Sequence, residues 1–178
     1  MSKLFMVSIP IGNYDDITLR ALNVLKTTKT LVCEDYKIGR RIIKEYNLGE
    51  KELLLLNEHS KEEDINNLLS NYLLKDIDLA VFSDTGTPVF ADPGYHLLKK
   101  AYNFNIEVVP VVGASSLMGA IVKSDIEIKK FYFYGFLSAK KEIRDEELKT
   151  LKTFKYPLIF LEAPYRLNAV LEAFKRNF

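Results

Sequence analysis

Three groups of side chains in this sequence are spaced so that they could do chemistry together. Glu34, Asp35 and Lys37 follow directly on the apolar run Thr30–Cys33, which places two acids and one base at the end of a strand. Such a cluster can take a proton from a hydroxyl or orient the group that loses it. Lys37 could be the base if burial lowered its pKa, whereas Glu34 or Asp35 could do the orienting, and a solvated turn would use the same residues. His59 is a further titratable candidate, although a hydrogen-bonded structural role suits a lone histidine better.

The second group is small and rich in oxygen. Ser83-Asp84-Thr85-Gly86-Thr87-Pro88 is followed closely by Ala91-Asp92-Pro93-Gly94, two Asp/Gly/Pro turns that make a rigid loop. Its hydroxyls and carboxylates can accept hydrogen bonds from hydroxyl or amino groups, and the lack of lysine argues against a phosphate cradle. Ser8-Ile9-Pro10-Ile11-Gly12-Asn13 is a proline-fixed turn with one glycine, so it is not a GxGxxG dinucleotide fingerprint. Val112-Gly113-Ala114-Ser115-Ser116 reads either as a helix start with a serine cap or as a flat backbone platform under a ring.

The third group is basic. Residues 1–128 carry 14 Lys/Arg against 18 Asp/Glu, and residues 129–178 carry 11 against 6, so a net charge of +1 hides a basic C-terminal part. A basic segment can be a nucleic-acid footprint, and a solvated lysine-rich helix has the same composition.

These groups need strands to carry them. Strand-like runs at Leu4–Ile9, Thr30–Cys33, Glu52–Leu56, Leu79–Phe82 and Ile106–Val109 alternate with amphipathic stretches striped by residues such as Ile17, Ala21, Leu22 and Leu25. That alternation predicts an α/β fold, a mostly parallel sheet flanked by helices. Ser60 and Glu63 predict a capping box at the start of one helix. After a short helix at about Ser116 to Lys123 the texture changes, which sets an N-terminal α/β domain at 1–123, a linker at 124–130 and a partial C-terminal α/β domain within 124–178. In that second part strands near 131–136 and Leu158–Leu161 alternate with helices from about Lys140 to Thr153 and from about Arg166. In an open α/β sheet ligands bind at the carboxyl ends of strands, which is where the first two groups fall.

A length of 178 residues bounds the chain at roughly one to two domains of about 100–200 residues each. Hydrophobic residues at 48% and charged residues at 28% fit a folded protein rather than a disordered one. Leu4–Ile11 is interrupted by Ser8 and Pro10, so it reads as neither a signal peptide nor a membrane span. Cys33 is the single cysteine, so no intrachain disulfide is expected; with two histidines it makes no metal-ligand set. The cytoplasm is the expected compartment.

Taken in order, the motifs Ser8-Ile9-Pro10-Ile11-Gly12-Asn13 with Asp16-Ile17-Thr18-Leu19-Arg20-Ala21-Leu22, Glu34-Asp35, Asn57-Glu58-His59, the loop from Ser83 to Tyr95, Gly113-Ala114-Ser115-Ser116, Gly135-Phe136-Leu137 with Lys140-Lys141, and Glu162-Ala163-Pro164-Tyr165-Arg166 form a specific series. It resembles the tetrapyrrole-methylase superfamily and, within it, the ribosomal RNA small-subunit methyltransferase I family. The resemblance implies a homodimeric, two-domain enzyme that binds S-adenosylmethionine between its domains. It also implies methylation of a cytidine ribose 2′-hydroxyl in small-subunit (16S) ribosomal RNA, within the assembled subunit. On that resemblance Pro10, Ile11, Gly12, Asp84, Thr87, Ser115 and Ser116 would hold the cofactor, with Leu161, Glu162 and Ala163 approaching its adenosine from the second domain. Glu34, Asp35 and Lys37 would be the catalytic candidates, and Arg40, Arg41, Lys140, Lys141, Arg144 and Arg166 would meet phosphates; no metal is implied.

The sequence departs from the family pattern at Asp35-Tyr36-Lys37, where Asp-Thr-Arg is usual, at Val112-Gly113-Ala114-Ser115, where Pro-Gly-Pro-Ser is usual, and at Tyr165, where His is usual. Family chains run on past the position of Phe178 with further strands and helices, so the resemblance implies an incomplete second domain. Two other readings use the same residues: a sister methylase acting on a tetrapyrrole or a protein side chain, and an inactive RNA-binding or dimerisation module.

Overall fold

Short apolar runs separated by amphipathic stretches can pair as parallel strands only through helical crossovers, and the computed structural model is built of such units. It describes residues 1–89 and 94–178. The expected turn at Ala91, Asp92 and Pro93 therefore lies outside the described residues. The chain divides into two compact units, Met1–Ser116 and Leu117–Phe178.

The first unit contains β1 (Lys3–Val7), α1 (Leu19–Thr27), β2 (Thr30–Cys33), α2 (Tyr36–Glu45), β3 (Glu52–Leu55), α3 (Glu62–Asn71), β4 (Leu79–Val81), α4 (Gly94–Asn103) and β5 (Glu107–Val111). Next comes α5 (Ser116–Lys123), which begins at the border between the units, seven residues before the change of texture seen in the sequence at 123/124. The five strands form one parallel sheet in the order β3-β2-β4-β1-β5. Successive side chains of a strand face opposite ways. Leu4, Met6, Leu79 and Val81 accordingly enter one buried cluster, closed by Ile65, Leu68 and Leu69 of α3 with Leu97 and Ala101 of α4. Val7, Ala80 and Phe82 enter the other, closed by Ala21, Val24 and Leu25 of α1 with Ile42 of α2. Leu79 through Phe82 are at most 4% exposed, as a strand covered on both faces requires.

The strand order matters for function. The connections after β1 and β2 pass over the face of α1 and α2, whereas the connection after β4, which lies between those strands, passes over the face of α3 and α4. The backbone therefore diverges at the carboxyl ends of β1, β4 and β2 and opens a crevice there.

Two local details differ from expectation. Helix α3 starts one residue later than the Ser60–Glu63 pattern predicts: Lys61 N–H donates to Asp64 Oδ2 at 2.7 Å. Ser60 is already engaged, its hydroxyl accepting from Asn57 N–H at 2.9 Å. Strand β5 runs two residues past Val109 and takes in Pro110, which stands opposite Met6. Ser8 N–H donates to Val111 O at 2.9 Å, so Val111 faces β1 and Pro110, one residue earlier, turns its backbone to the outer edge, where no N–H is needed.

The second unit contains β6 (Tyr132–Phe136), α6 (Lys141–Leu151), β7 (Leu158–Leu161) and α7 (Leu167–Asn177). Its sheet is a single parallel pair whose register shifts between Phe133 and Gly135, with Gly135 at φ +86°. Leu137, Leu148, Leu151, Val170 and Ala173 form a small core edged by Tyr134, Phe160 and Phe174. Tyr132, Phe136, Phe154, Tyr156 and Phe178 remain exposed. Among the described residues no helix is long and apolar enough to cross a membrane.

Candidate functional site

The crest of the first sheet is tied together in two corners. In the corner over β1, β4 and β5, Ile9 N–H donates to Gly86 O at 2.8 Å in an isolated antiparallel bridge. Thr87 Oγ1 donates to Ala114 O at 3.4 Å, which leaves the Ser8 hydroxyl to donate to Thr87 Oγ1 at 2.9 Å. Three strand-end loops are thus linked through one pair of hydroxyls. Glycines make the approach possible. A Cβ at Gly113 would stand 2.9 Å from Ser8 Cβ, and one at Gly86, which has φ +71°, would stand 3.2 Å from Ile11 Cγ2. Pro10 is buried beneath the crest, while Ile11 and Gly12 are exposed on it, with no atom other than those of Gly12 and its chain neighbours within 4 Å of where a Gly12 Cβ would lie.

In the corner over β2 and β4 the link is made by carboxylates. Asp84 N–H donates to Glu34 Oε1 at 3.3 Å, and Asp35 N–H donates to the Asp84 carboxylate. Burial first, and the neighbouring Asp35 charge second, raise the Asp84 pKa above the usual aspartate value, against the pull of that N–H. The same acids surround Cys33, whose thiol is pushed up to about 12 by burial and then by Asp84 and Asp35.

Placement refines the roles expected for this corner. Asp35 accepts from Lys37 N–H at 2.6 Å and so caps α2. Lys37 enters the cluster through that N–H and its side chain is exposed, not buried. His59 is exposed too, its ring 3.7 Å from Glu58 Oε1. Ser115 and Ser116 follow β5 at the start of α5, with Ser116 exposed. Ser8 stands at the head of the first motif but carries no expected role there, and its buried hydroxyl proves to tie the corner together.

In the second unit, Leu161 ends β7 and Glu162 and Ala163 follow it. Glu162 Oε1 accepts from Ala163 N–H at 2.8 Å, and Oε2 forms an ion pair with Arg166 Nη2 at 3.3 Å without hydrogen-bond alignment. Arg166 Nη2 donates to Leu137 O at 2.7 Å. Arg144, only 6% exposed, turns Nη1 to Ser138 O at 3.1 Å and Ala139 O at 3.3 Å. These two guanidinium groups, expected on phosphates, are engaged with the chain's own carbonyls. Arg40, Arg41, Lys140 and Lys141 are exposed, and Arg40 lies 5.6 Å over the Tyr36 ring.

The first-unit crest is therefore a rigid surface of hydroxyls, carboxylates and backbone groups with space beside Gly12. Such a donor set suits a ligand with cationic and hydroxyl groups better than a phosphate. Among the described residues no group of three or more His, Cys, Asp or Glu is placed to hold a metal ion.

Residues 3–178 match the family described as Tetrapyrrole (Corrin/Porphyrin) Methylases. The chain is 38% identical over 172 residues to the ribosomal RNA small subunit methyltransferase I of Thermotoga maritima, covering 96% of this chain and 76% of that protein. It is 35% identical over 173 residues to the protein of the same name from Bacillus subtilis, covering 97% of this chain and 59% of that protein. With the Pseudomonas aeruginosa protein of that name the figures are 38% over 164 residues, 92% and 57%. The chain thus spans about six tenths of the Bacillus and Pseudomonas relatives. Among solved structures, the methyltransferase CobJ superposes with a TM-score of 0.71 at 14% identity, covering 100% of this chain and 77% of that one. A uroporphyrin-III-C-methyltransferase from Thermus thermophilus gives 0.61 at 17% identity, covering 99% and 72%. At these identities the structural likeness speaks for the fold.

Proposed function

Since the chain belongs to the tetrapyrrole methylase family and, within it, to the ribosomal RNA small subunit methyltransferase I family, we propose that it serves methyl transfer from S-adenosylmethionine to the 2′-hydroxyl of a cytidine ribose in small-subunit ribosomal RNA. Methyltransferases of this family use S-adenosylmethionine as methyl donor. The observation that carries the proposal is the linked crest of β1, β4 and β5 with the acidic corner beside it.

The residues fit that cofactor. Its sulfonium and α-ammonium groups suit a corner holding Glu34, Asp35 and Asp84, and its flat adenine and ribose suit small-residue loops. Pro10, Ile11, Gly12, Asp84, Thr87, Ser115 and Ser116 would hold it, and Leu161, Glu162 and Ala163 are the second unit's candidates for the adenosine. When bound, it supplies a methyl carbon activated by the sulfonium. The chain's own task is to align a ribose hydroxyl with that carbon and to receive the hydroxyl proton. Glu34 and Asp35 beside Asp84 are the carboxylate candidates for the second task, and the exposed Lys37 next to them is the amine candidate. Asp35, fixed by the α2 cap, orients Asp84 through its N–H.

The exposed Arg40, Arg41, Lys140 and Lys141 would meet phosphates, which position RNA without reading its sequence. Selection of one nucleotide then falls to the shape of the assembled subunit. A homodimer working in the cytoplasm belongs to the same reading.

The test is methyl-labelled S-adenosylmethionine with small ribosomal subunits that lack the modification, followed by nucleoside digestion and mass spectrometry. Label in 2′-O-methylcytidine is the expected result. Label in a base, or transfer to an added tetrapyrrole, would assign the chain to a sister activity. No heat of cofactor binding in calorimetry would leave an RNA-binding or dimerisation module.

A further inference from the structure

The loop joining β6 to α6 is held by side chains at five of its backbone groups. Leu137 O accepts from Arg166, Ser138 O and Ala139 O accept from Arg144, Ser138 N–H donates to Glu147 Oε2 at 2.9 Å, and Lys140 N–H donates to Ser138 Oγ at 3.2 Å. Glu147 is anchored in turn by the Tyr134 phenol, whose pKa is pushed up to about 12, first by burial and then by that carboxylate. A connection at a protein surface needs none of this, because water would satisfy the same groups. Burying a guanidinium as deeply as Arg144 carries a large desolvation cost, and its Nε has no hydrogen-bond partner, so the fold recovers that cost only in part.

What the arrangement produces is one fixed loop geometry with two exposed ammonium groups, Lys140 and Lys141, at its end. A lysine on a mobile loop must lose backbone as well as side-chain freedom when it meets a phosphate, whereas one on a fixed loop loses only the latter. We propose that Arg144 and Arg166 are positioning residues for RNA: they hold residues 137–140 so that Lys140 and Lys141 meet phosphates, and touch no phosphate themselves. The proposal rests on the RNA reading given under the proposed function.

A double-mutant cycle on the full chain tests it, with binding of a labelled small-subunit ribosomal RNA fragment followed by anisotropy over a salt series. Lys140→Ala with Lys141→Ala should flatten the salt dependence by about one to two units of slope. Arg144→Met should weaken binding by roughly tenfold in the otherwise unchanged chain and add nothing in the Lys140→Ala, Lys141→Ala background. Equal losses in both backgrounds, or a loss in neither, would overturn the positioning role. If the lysine pair alone leaves affinity and slope unchanged, the RNA reading of this loop falls, and that variant by itself reveals it. Should Arg144→Met not fold, the same cycle with Arg166→Met decides on the same outcomes, since Arg166 reaches the loop from the β7 side.

Discussion

The two units reach order by different routes. The first covers five parallel strands on both faces with helices and then ties its crest through backbone and hydroxyl bonds. The second has one strand pair, five buried side chains in its core, and a loop fixed by arginines. Where apolar area is ample, the site can be held by short neutral contacts and close-packed glycines. Where it is scarce, charged side chains do the holding, and each carries a desolvation cost that a larger core would not require.

The largest expected effect breaks this comparison at its cores. Leu79 and Leu148 are both 0% exposed, and changing either to alanine should cost about 2–5 kcal/mol. The outcomes should differ. Leu148→Ala is expected to unfold the second unit, with α6 and β7 amides exchanging as in an unfolded chain while β1–β5 amides stay protected. Leu79→Ala should lower stability and keep the sheet. Hydrogen exchange read by mass spectrometry separates these outcomes, and matching protection patterns would mean that the smaller core is no weaker than the larger.

A smaller effect sharpens the contrast at the crest. Gly113→Ala places a methyl group 2.9 Å from Ser8 Cβ, an overpacking expected to cost about 1–3 kcal/mol. It should also weaken S-adenosylmethionine binding, because the displaced loop carries Ala114, the acceptor for Thr87. Denaturant unfolding and calorimetry measure the two effects, and full affinity with reduced stability would place the cofactor away from this corner.

The smallest is electrostatic. The Asp84 carboxyl holds its proton more tightly in the folded chain than in the unfolded one, where its value is near 3.8. Stability should therefore fall as pH rises from about that value through the raised one and then level off. Asp84→Asn keeps an oxygen for the Asp35 N–H, so this fall should vanish while cofactor affinity drops. Thermal unfolding across pH checks the first point and calorimetry the second. A variant with the same pH profile as the parent chain would show that another group carries the titration.

How legible the molecule was depends on what each residue type announces. Leu79–Phe82 could be read because burial on both faces demands an unbroken apolar run, and the Asp84–Thr87 loop because Asp, Gly and Thr cluster where a strand must stop. The extent of β5 was hidden by Pro110, which looks like a breaker until the strand is known to lie at an edge. The start of α3 was misplaced by one residue because Ser60, the better capping type, is taken up by the turn at Asn57, which leaves Lys61 N–H to Asp64. Arg144 and Arg166 show the deeper limit: a sequence gives the charge of a side chain but not the direction in which it points. Ser8 needed the third dimension, since its partners come from β4 and β5.

Pro110 has a further consequence for the life of the protein among its own copies. An open parallel sheet ends in a row of backbone donors and acceptors that can template the addition of a foreign strand, the first step towards fibres. On the β5 side that row lacks a donor at position 110, so an incoming chain would meet a gap near the carboxyl end of its ladder. The residue that β5 tolerates because its backbone faces outward also makes this border of the sheet a poor seed for assembly.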